Sequence, residues 1–195
     1  MDRPDIRNVK PTEVARAESV HTMAFSSDPI MRWLWPEPHE YLRNFPRLVR
    51  GFGGGAFDHD AAHVTHDFVG GTLWLPPGVT PDDEALEKLM KETVAEPARS
   101  ECGSILEQMG AAHPKDAHWH LAFIGVDPAQ HGRGIGAALL RHTLALVDAQ
   151  HLHAYLESSN PANDRRYTSV GFVPHGEFRY PGGGPVVTTM WRPAR

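Results

Sequence analysis

A single cysteine, Cys102, occurs among the 195 residues, so no internal disulfide can form and a reducing, cytoplasmic location is expected. Long apolar runs are missing as well. No stretch approaches the roughly eighteen apolar residues that span a bilayer, and the opening MDRPDIRNVKP lacks the apolar core of a signal peptide. No membrane partner is expected. Positive charge is also scarce, since 19 Lys and Arg face 24 Asp and Glu. The net charge of −5 argues against nucleic acid as a general partner and suits small amines or basic peptide ends. There are no repeats or low-complexity tracts, and no GxxxxGK string followed by Ser or Thr, which excludes a P-loop. No metal is expected either. His118 with His120, and His151 with His153, form only two-residue pairs. Adding Asp116 spreads three side chains over roughly 13 Å of strand, too far to meet on one ion.

What is present is a chain of ordinary globular make-up, 41% hydrophobic, long enough for a single domain over residues 1–195 with a sizeable core. Its most informative stretch is LAFIGVDPAQHGRGIGAALL, Leu121 to Leu140. An apolar strand runs through Asp127-Pro128 into Gly132-Arg133-Gly134-Ile135-Gly136, and a helix begins at once. Glycines at these positions let a ligand lie against the backbone and open dihedrals closed to other residues. The first helical turn offers amide N–H groups with no partner inside the helix, aligned with the positive end of its dipole. With Arg133 beside them, the natural guest is a pyrophosphate. A dinucleotide fingerprint competes for the loop, with Ala137 in its third glycine position and Glu157 at roughly the distance of its acid. Its position, two-thirds along a short chain, counts against that reading.

The loop resembles the acyl-CoA loop of the GNAT superfamily of N-acetyltransferases, whose pattern is Gln or Arg, two residues, Gly, one residue, then Gly or Ala. His131, Gly132, Arg133, Gly134, Ile135 and Gly136 fill it, His131 standing where Gln or Arg is usual. Downstream, Leu156 to Pro161 and Tyr167 to Phe172 resemble the strand, Asn-bearing turn and Tyr-x-x-x-Gly-Phe helix end of the same family. Within it, the C-terminal half is most similar to the puromycin N-acetyltransferase type, through His113-Pro114-Lys115, Trp119, the LAFIGVDP strand, the NPAN segment and Met190-Trp191-Arg192. The resemblance implies acetyl-CoA as co-substrate. It also implies a fold in which two parallel central strands splay apart to hold the pantetheine. Backbone near Ile124, Gly125 and Val126 would line the thioester, residues 131 to 137 would hold the diphosphate, and Asn160 and Asn163 would bond the pantetheine or cap a helix.

Pattern alone gives strands over Ile6–Lys10, Ala62–Val69, Thr72–Leu75, Trp119–Val126, His153–Ser158, Phe172–Tyr180 and Val186–Trp191. Helices are expected from a Thr12 cap to about Phe25, over a short turn carrying Met31 to Trp35, and from His39 to Arg50. Further ones cover Thr80–Ala95, Pro97 to Met109, Gly134–Gln150 and Pro161–Val170. Gly53-Gly54-Gly55 reads as a loop, and Gly182-Gly183-Gly184 as the tip of a hairpin. In the Gly134 helix, Ile135, Leu139 and Leu146 lie on one side, Leu140, Leu144 and Val147 on the next, and Arg141 and Asp148 form a narrow polar stripe. The fold class is therefore α/β, or α+β: a mixed, mostly antiparallel central sheet flanked by helices.

Acyl transfer from a thioester to an amine needs a neutral nucleophile, stabilisation of an oxyanion and an acid for the departing thiolate. Strand alternation puts His118, His120, Ala122 and Ile124 on one face. His120 is the candidate base, since histidine as a residue type titrates near neutrality. Tyr167 is the candidate acid, by resemblance. Glu157 could meet the ammonium of the acceptor, and of Phe25, Trp33 and Trp35, at least two are expected in the core, with Trp33 the candidate for an acceptor wall. Cys102 is expected in a helix away from both motifs and is not a nucleophile. The expected activity is direct transfer from acetyl-CoA to a small-molecule amine, by a monomer or a homodimer. The alternatives are an O-acetyltransferase, a protein N-acetyltransferase or a non-catalytic acyl-CoA sensor.

Overall fold

Seven strands form one sheet in the order β1-β2-β3-β4-β5-β7-β6 in the computed structural model, which describes residues 4–96, 98–180 and 185–195. The strands are β1 (Ile6–Asn8), β2 (Ala62–Thr65), β3 (Gly70–Leu75), β4 (His118–Val126), β5 (His153–Ser158), β6 (Val173–Arg179) and β7 (Val186–Arg192). Every neighbouring pair is antiparallel except β4 with β5, which run parallel from His118↔His153 to Leu121↔Leu156. The expected sheet class is thus the observed one. The Gly182 to Gly184 tip lies outside the described residues.

Among the described residues the helices are α1 (Val14–Ala24), α2 (Pro29–Leu34), α3 (Pro38–Gly53), α4 (Gly55–Asp58), α5 (Asp83–Thr93), α6 (Ala98–Ala112), α7 (Ile135–Ala149) and α8 (Asp164–Thr168), of which α1, α3, α4 and α7 pack on the central strands. Several departures from the sequence reading have identifiable causes. The triple glycine is not a loop, because α3 continues to Gly53 and α4 follows at once. A Cβ on Gly53 would sit 3.0 Å from both the Leu73 and Phe123 side chains, so the glycine is there to bring the helix close to the sheet. Strand β2 stops at Thr65, whose Oγ1 accepts the Val69 and Gly70 N–H groups and turns the chain early, leaving Gly70 and Gly71 inside β3.

At the first helix, Glu13 replaces Thr12 as the capping group, its carboxylate accepting the Lys10 N–H at 3.0 Å and holding Arg7 at 2.7 and 2.9 Å. The Pro161 segment opens as a 3-10 turn over Pro161–Asn163 before α8. On α7, Leu146 is solvent-facing, not apolar core, and the exposed stripe is broader than the sequence implied. Asp148 is engaged there, taking both guanidinium nitrogens of the buried Arg192 at 2.6 and 2.8 Å. That pair fastens β7 to the end of α7.

Helix α5 starts as its chemistry dictates, with the Asp82 carboxylate accepting the Ala85 N–H at 3.0 Å and Asp83 and Glu84 in the first turn. An Asp82→Ala variant is expected to lose about 1 kcal/mol of stability, seen as a lowered urea midpoint with an unchanged slope.

Candidate active site

The glycine-rich loop delivers the chain into α7 through two left-handed residues, Gly132 at φ 79° and Gly134 at φ 78°. Nothing lies within 4 Å of where a Cβ would stand on either. The first bond of the helix runs from the Ala138 N–H to the Gly134 carbonyl at 3.0 Å, so the N–H groups of Ile135, Gly136 and Ala137 have no helical partner. Arg133 is exposed and bonds the Gln130 side chain, while His131 Nε2 lies 3.1 Å from the Val126 carbonyl. The Ile135 side chain is buried towards β3 and offers only its backbone to the loop.

Beside the loop, the sheet opens. Pairing of β4 with β5 ends at Leu121↔Leu156, yet β4 runs on to Val126 bonded to β3 alone. A cavity of 440 Å³ lies along this opening, lined in part by Ile124, Gly125, Val126, His131, Gly136, Asn160 and Asn163. The structure therefore gathers most of the residues expected around the cofactor. Asn160 is partly committed, since its carboxamide oxygen accepts the Ala162 N–H at 3.0 Å. Tyr167 enters the same cavity from α8, buried and edge-on to Phe172 at 6.2 Å. Burial first, with the Asp164 carboxylate adding to it, pushes its phenol above the ordinary value. Such a hydroxyl keeps its proton at neutral pH and can donate it.

The register of β4 with β3 jumps from Leu73↔Phe123 to Trp74↔Leu121, which makes Ala122 a β-bulge. Residues opposite each other across a pair share a face, so His120 and Phe123 lie on one side and Leu121 and Ile124 on the other. This corrects the expectation that His120, Ala122 and Ile124 face the same way. One extra residue shifts the alternation. Phe52 of α3 confirms the arrangement by meeting both the His120 and Phe123 rings, at 5.7 and 5.8 Å.

His120 Nε2 stands 2.6 Å from Glu157 Oε2, both side chains nearly buried. Burial alone would raise the Glu157 carboxyl, but the His120 imidazole and its hydrogen bond, with His113 and Tyr155, outweigh it and hold the carboxyl below its ordinary value. The carboxylate accepts the Nε2–H, so Nδ1 is the His120 nitrogen left to exchange a proton with a substrate. Behind it, His118 Nδ1 lies 2.6 Å from the Asp116 carbonyl and His118 Nε2 lies 3.1 Å from His113 Nε2. If His118 donates through Nδ1, its Nε2 must accept from His113. Burial lowers both imidazoles below the ordinary value, so they remain neutral at neutral pH.

Trp33 is not among the residues lining the cavity; its ring packs on Tyr180 at 4.8 Å. Trp35 is core, and Phe25 alone of the three lines the cavity. Cys102, in α6, is closer to the site than the sequence implied, since it also lines the cavity, but burial raises its thiol to about 11 and keeps it protonated. Asp28 went unremarked as a site residue. It caps α2, accepting from Ile30 and Met31, takes the Ser159 hydroxyl and lines the cavity, and the Ser-Asp-Pro helix start was its sequence signal.

Residues 83–172, which hold the bulged strand, the loop, Glu157 and Tyr167, match the acetyltransferase (GNAT) family model. By that match and by its structural neighbours the chain is similar to GNAT acetyltransferases. An uncharacterised N-acetyltransferase of Schizosaccharomyces pombe is 27% identical over 187 residues, covering 86% of this chain and 73% of the relative. Among solved structures, a Corynebacterium glutamicum protein described as histone acetyltransferase HPA2 and related acetyltransferase aligns with TM-score 0.70 at 24% identity, over 100% of this chain and 98% of the other. Arylalkylamine N-acetyltransferase 2 of Aedes aegypti gives 0.69 at 12% identity, with full coverage of both chains. A polyamine N-acetyltransferase of Drosophila melanogaster gives 0.65 at 14%, over 96% and 98%. At these identities the solved structures share with this chain the GNAT fold. The puromycin-type likeness is not specifically represented among these relatives. Among the described residues, no group of three or more His, Cys, Asp or Glu is placed to hold a metal ion, and no helix is long and apolar enough to cross a membrane.

Proposed function

We propose that the protein moves the acetyl group of acetyl-CoA directly to an amine of a small molecule. The observation that carries this reading is the position of the His120–Glu157 pair, 2.6 Å apart. Glu157 borders the cavity of the glycine loop and the opened strand edge, and with His120 it also borders a second, adjoining cavity. A donor held in one cavity and an acceptor in the other would meet at a base. The cradle fits a diphosphate, because Gly132 and Gly134 leave open backbone where a side chain would stand and three N–H groups of α7 lie without helical partners. Acetyl-CoA, when bound, supplies an activated thioester.

This chain's residues supply the rest. Residues 131 to 137 bind the diphosphate, and the free edge of β4 at Ile124 to Val126 orients the acyl arm. His120 Nδ1 takes the proton that an ammonium or attacking amine must lose, with Glu157 balancing the imidazolium. The Tyr167 hydroxyl donates to the departing sulfur as the new C–N bond forms and the C–S bond breaks. No covalent enzyme intermediate is needed, since juxtaposing the two reactants already supplies much of the acceleration.

A free-thiol assay with acetyl-CoA and a panel of amines tests the reading. Puromycin belongs on the panel because of the resemblance of the C-terminal half to that type, and agmatine and arylalkylamines because relatives of the same fold are named for them. Steady thiol release above hydrolysis is the expected result. Tight acetyl-CoA binding without release on any amine, alcohol or peptide N-terminus would establish a sensor instead. A Gly134→Val variant, forced to hold a β-branched residue at φ 78°, is expected to lose acetyl-CoA affinity at least about tenfold, as αL strain costs roughly 1–2 kcal/mol before any clash with the ligand. Titration calorimetry measures it.

A further inference from the structure

Neighbouring antiparallel strands need only a short turn between them, yet β3 and β4 are joined by residues 76–117, which include both α5 and α6. This excursion forms most of one wall of the second cavity, 1460 Å³ in volume, at whose inner end stand His120 and Glu157. Its lining grades from apolar to charged. Phe52, Leu86, Met90, Leu106 and Met109 make an apolar wall that this cavity shares with the first, and Glu157 borders both. The other carboxylates are at the rim, where Asp83, Glu107 and Asp116 are exposed, Glu87 is paired with Lys91 at 2.6 Å and Glu96 with Arg99 at 2.8 Å. Glu157, with its side chain 10% exposed, is therefore the carboxylate most withdrawn from solvent among the described residues of this lining, and it is already engaged by His120.

We infer that the α5–α6 excursion selects the acceptor, and that the acceptor is a monoamine with an extended apolar body. The inference rests on the acetyl-transfer reading and deepens it. A single amino group reaches His120, and the body of the molecule covers the apolar wall. A second cation on the same molecule would lie against Leu86, Met90 and Met109 with no buried carboxylate to receive it, and stripping its water without a partner is costly. Diamines and guanidino-amines are therefore disfavoured, although agmatine and polyamine enzymes share the fold.

The test compares n-alkylamines of increasing length, a phenylalkylamine and α,ω-diamines of matched length, in the thiol assay and in equilibrium binding by calorimetry. The wild type is set beside Leu106→Glu, which puts a carboxylate into the wall at a position already 43% exposed and so tolerated by the fold. For the wild type, kcat/KM is expected to rise about threefold to fourfold per methylene until the chain reaches the rim, and each diamine to fall at least about tenfold below its matched monoamine. Leu106→Glu should narrow or reverse that gap; because Leu106 borders both cavities, diamine and monoamine are compared in the same variant at saturating acetyl-CoA. A flat length series, or diamines preferred by the wild type, overturns the inference. If no amine is turned over, calorimetry separates the two readings. Length-dependent monoamine binding weakened by Leu106→Glu keeps the selection and removes the acetyl transfer, and its absence removes the selection as well.

Discussion

Turnover of the Tyr167→Phe protein is expected to fall by roughly 10²–10⁴-fold, the range for loss of a general acid, while its affinity for acetyl-CoA stays within about twofold. The substitution removes one oxygen and keeps the ring, so the packing on Phe172 survives and a misfolded variant is not the expected explanation. Burial and Asp164 hold the phenol above its ordinary value, which makes it a donor at every pH where the enzyme would work. The size of the loss should depend on the leaving group. With an acetyl thioester whose thiol is more acidic than that of coenzyme A, the departing sulfur needs less help and the gap between variant and parent should narrow. Pre-steady-state thiol release measures both, and a phenylalanine variant at full speed removes the role from Tyr167.

The second large effect is expected at His120. Alanine there should lower kcat/KM for the amine by about 10²-fold or more near neutral pH, without a matching change in acetyl-CoA binding. The diagnostic readout is the pH profile. Without a base at this position the amine must reach the thioester already deprotonated, so the variant should recover part of its rate at high pH. Glu157→Gln separates positioning from charge. A carboxamide oxygen can still accept the Nε2–H across 2.6 Å, but it no longer balances an imidazolium, so an intermediate loss of about tenfold is expected, by analogy with other charge-assisted hydrogen bonds. An unchanged profile in the alanine variant would leave His120 as a buried structural residue.

The segments carrying these groups differ in how openly the sequence shows them. LAFIGV before Asp127-Pro128 has few alternatives to a buried strand, and Gly132-Arg133-Gly134 followed by the periodic Leu139, Leu140 and Leu144 has few alternatives to a loop entering a helix. Both signals are local and survive without tertiary context. Gly53-Gly54-Gly55 shows the opposite case. Local rules make it a breaker, while packing on Leu73 and Phe123 rewards a helix with no side chain there. Trp33 was a reasonable wall for a pocket by position in the chain, but its orientation depends on Tyr180, which arrives from the far end of the sequence.

By itself, the sequence determined the succession of strands and helices around the glycine loop and the kinds of group available for acid, base and anion binding, because each follows from neighbours a few residues apart, and its single cysteine ruled out an internal disulfide. The tertiary structure decided how those groups are combined. Ala122 becomes a bulge only when β3 pairs with β4, and His120 meets Glu157, 37 residues away, only because β4 and β5 run parallel before they part. Both depend on which strand lies beside which, a choice made by burial of the whole sheet and not by any short stretch of it.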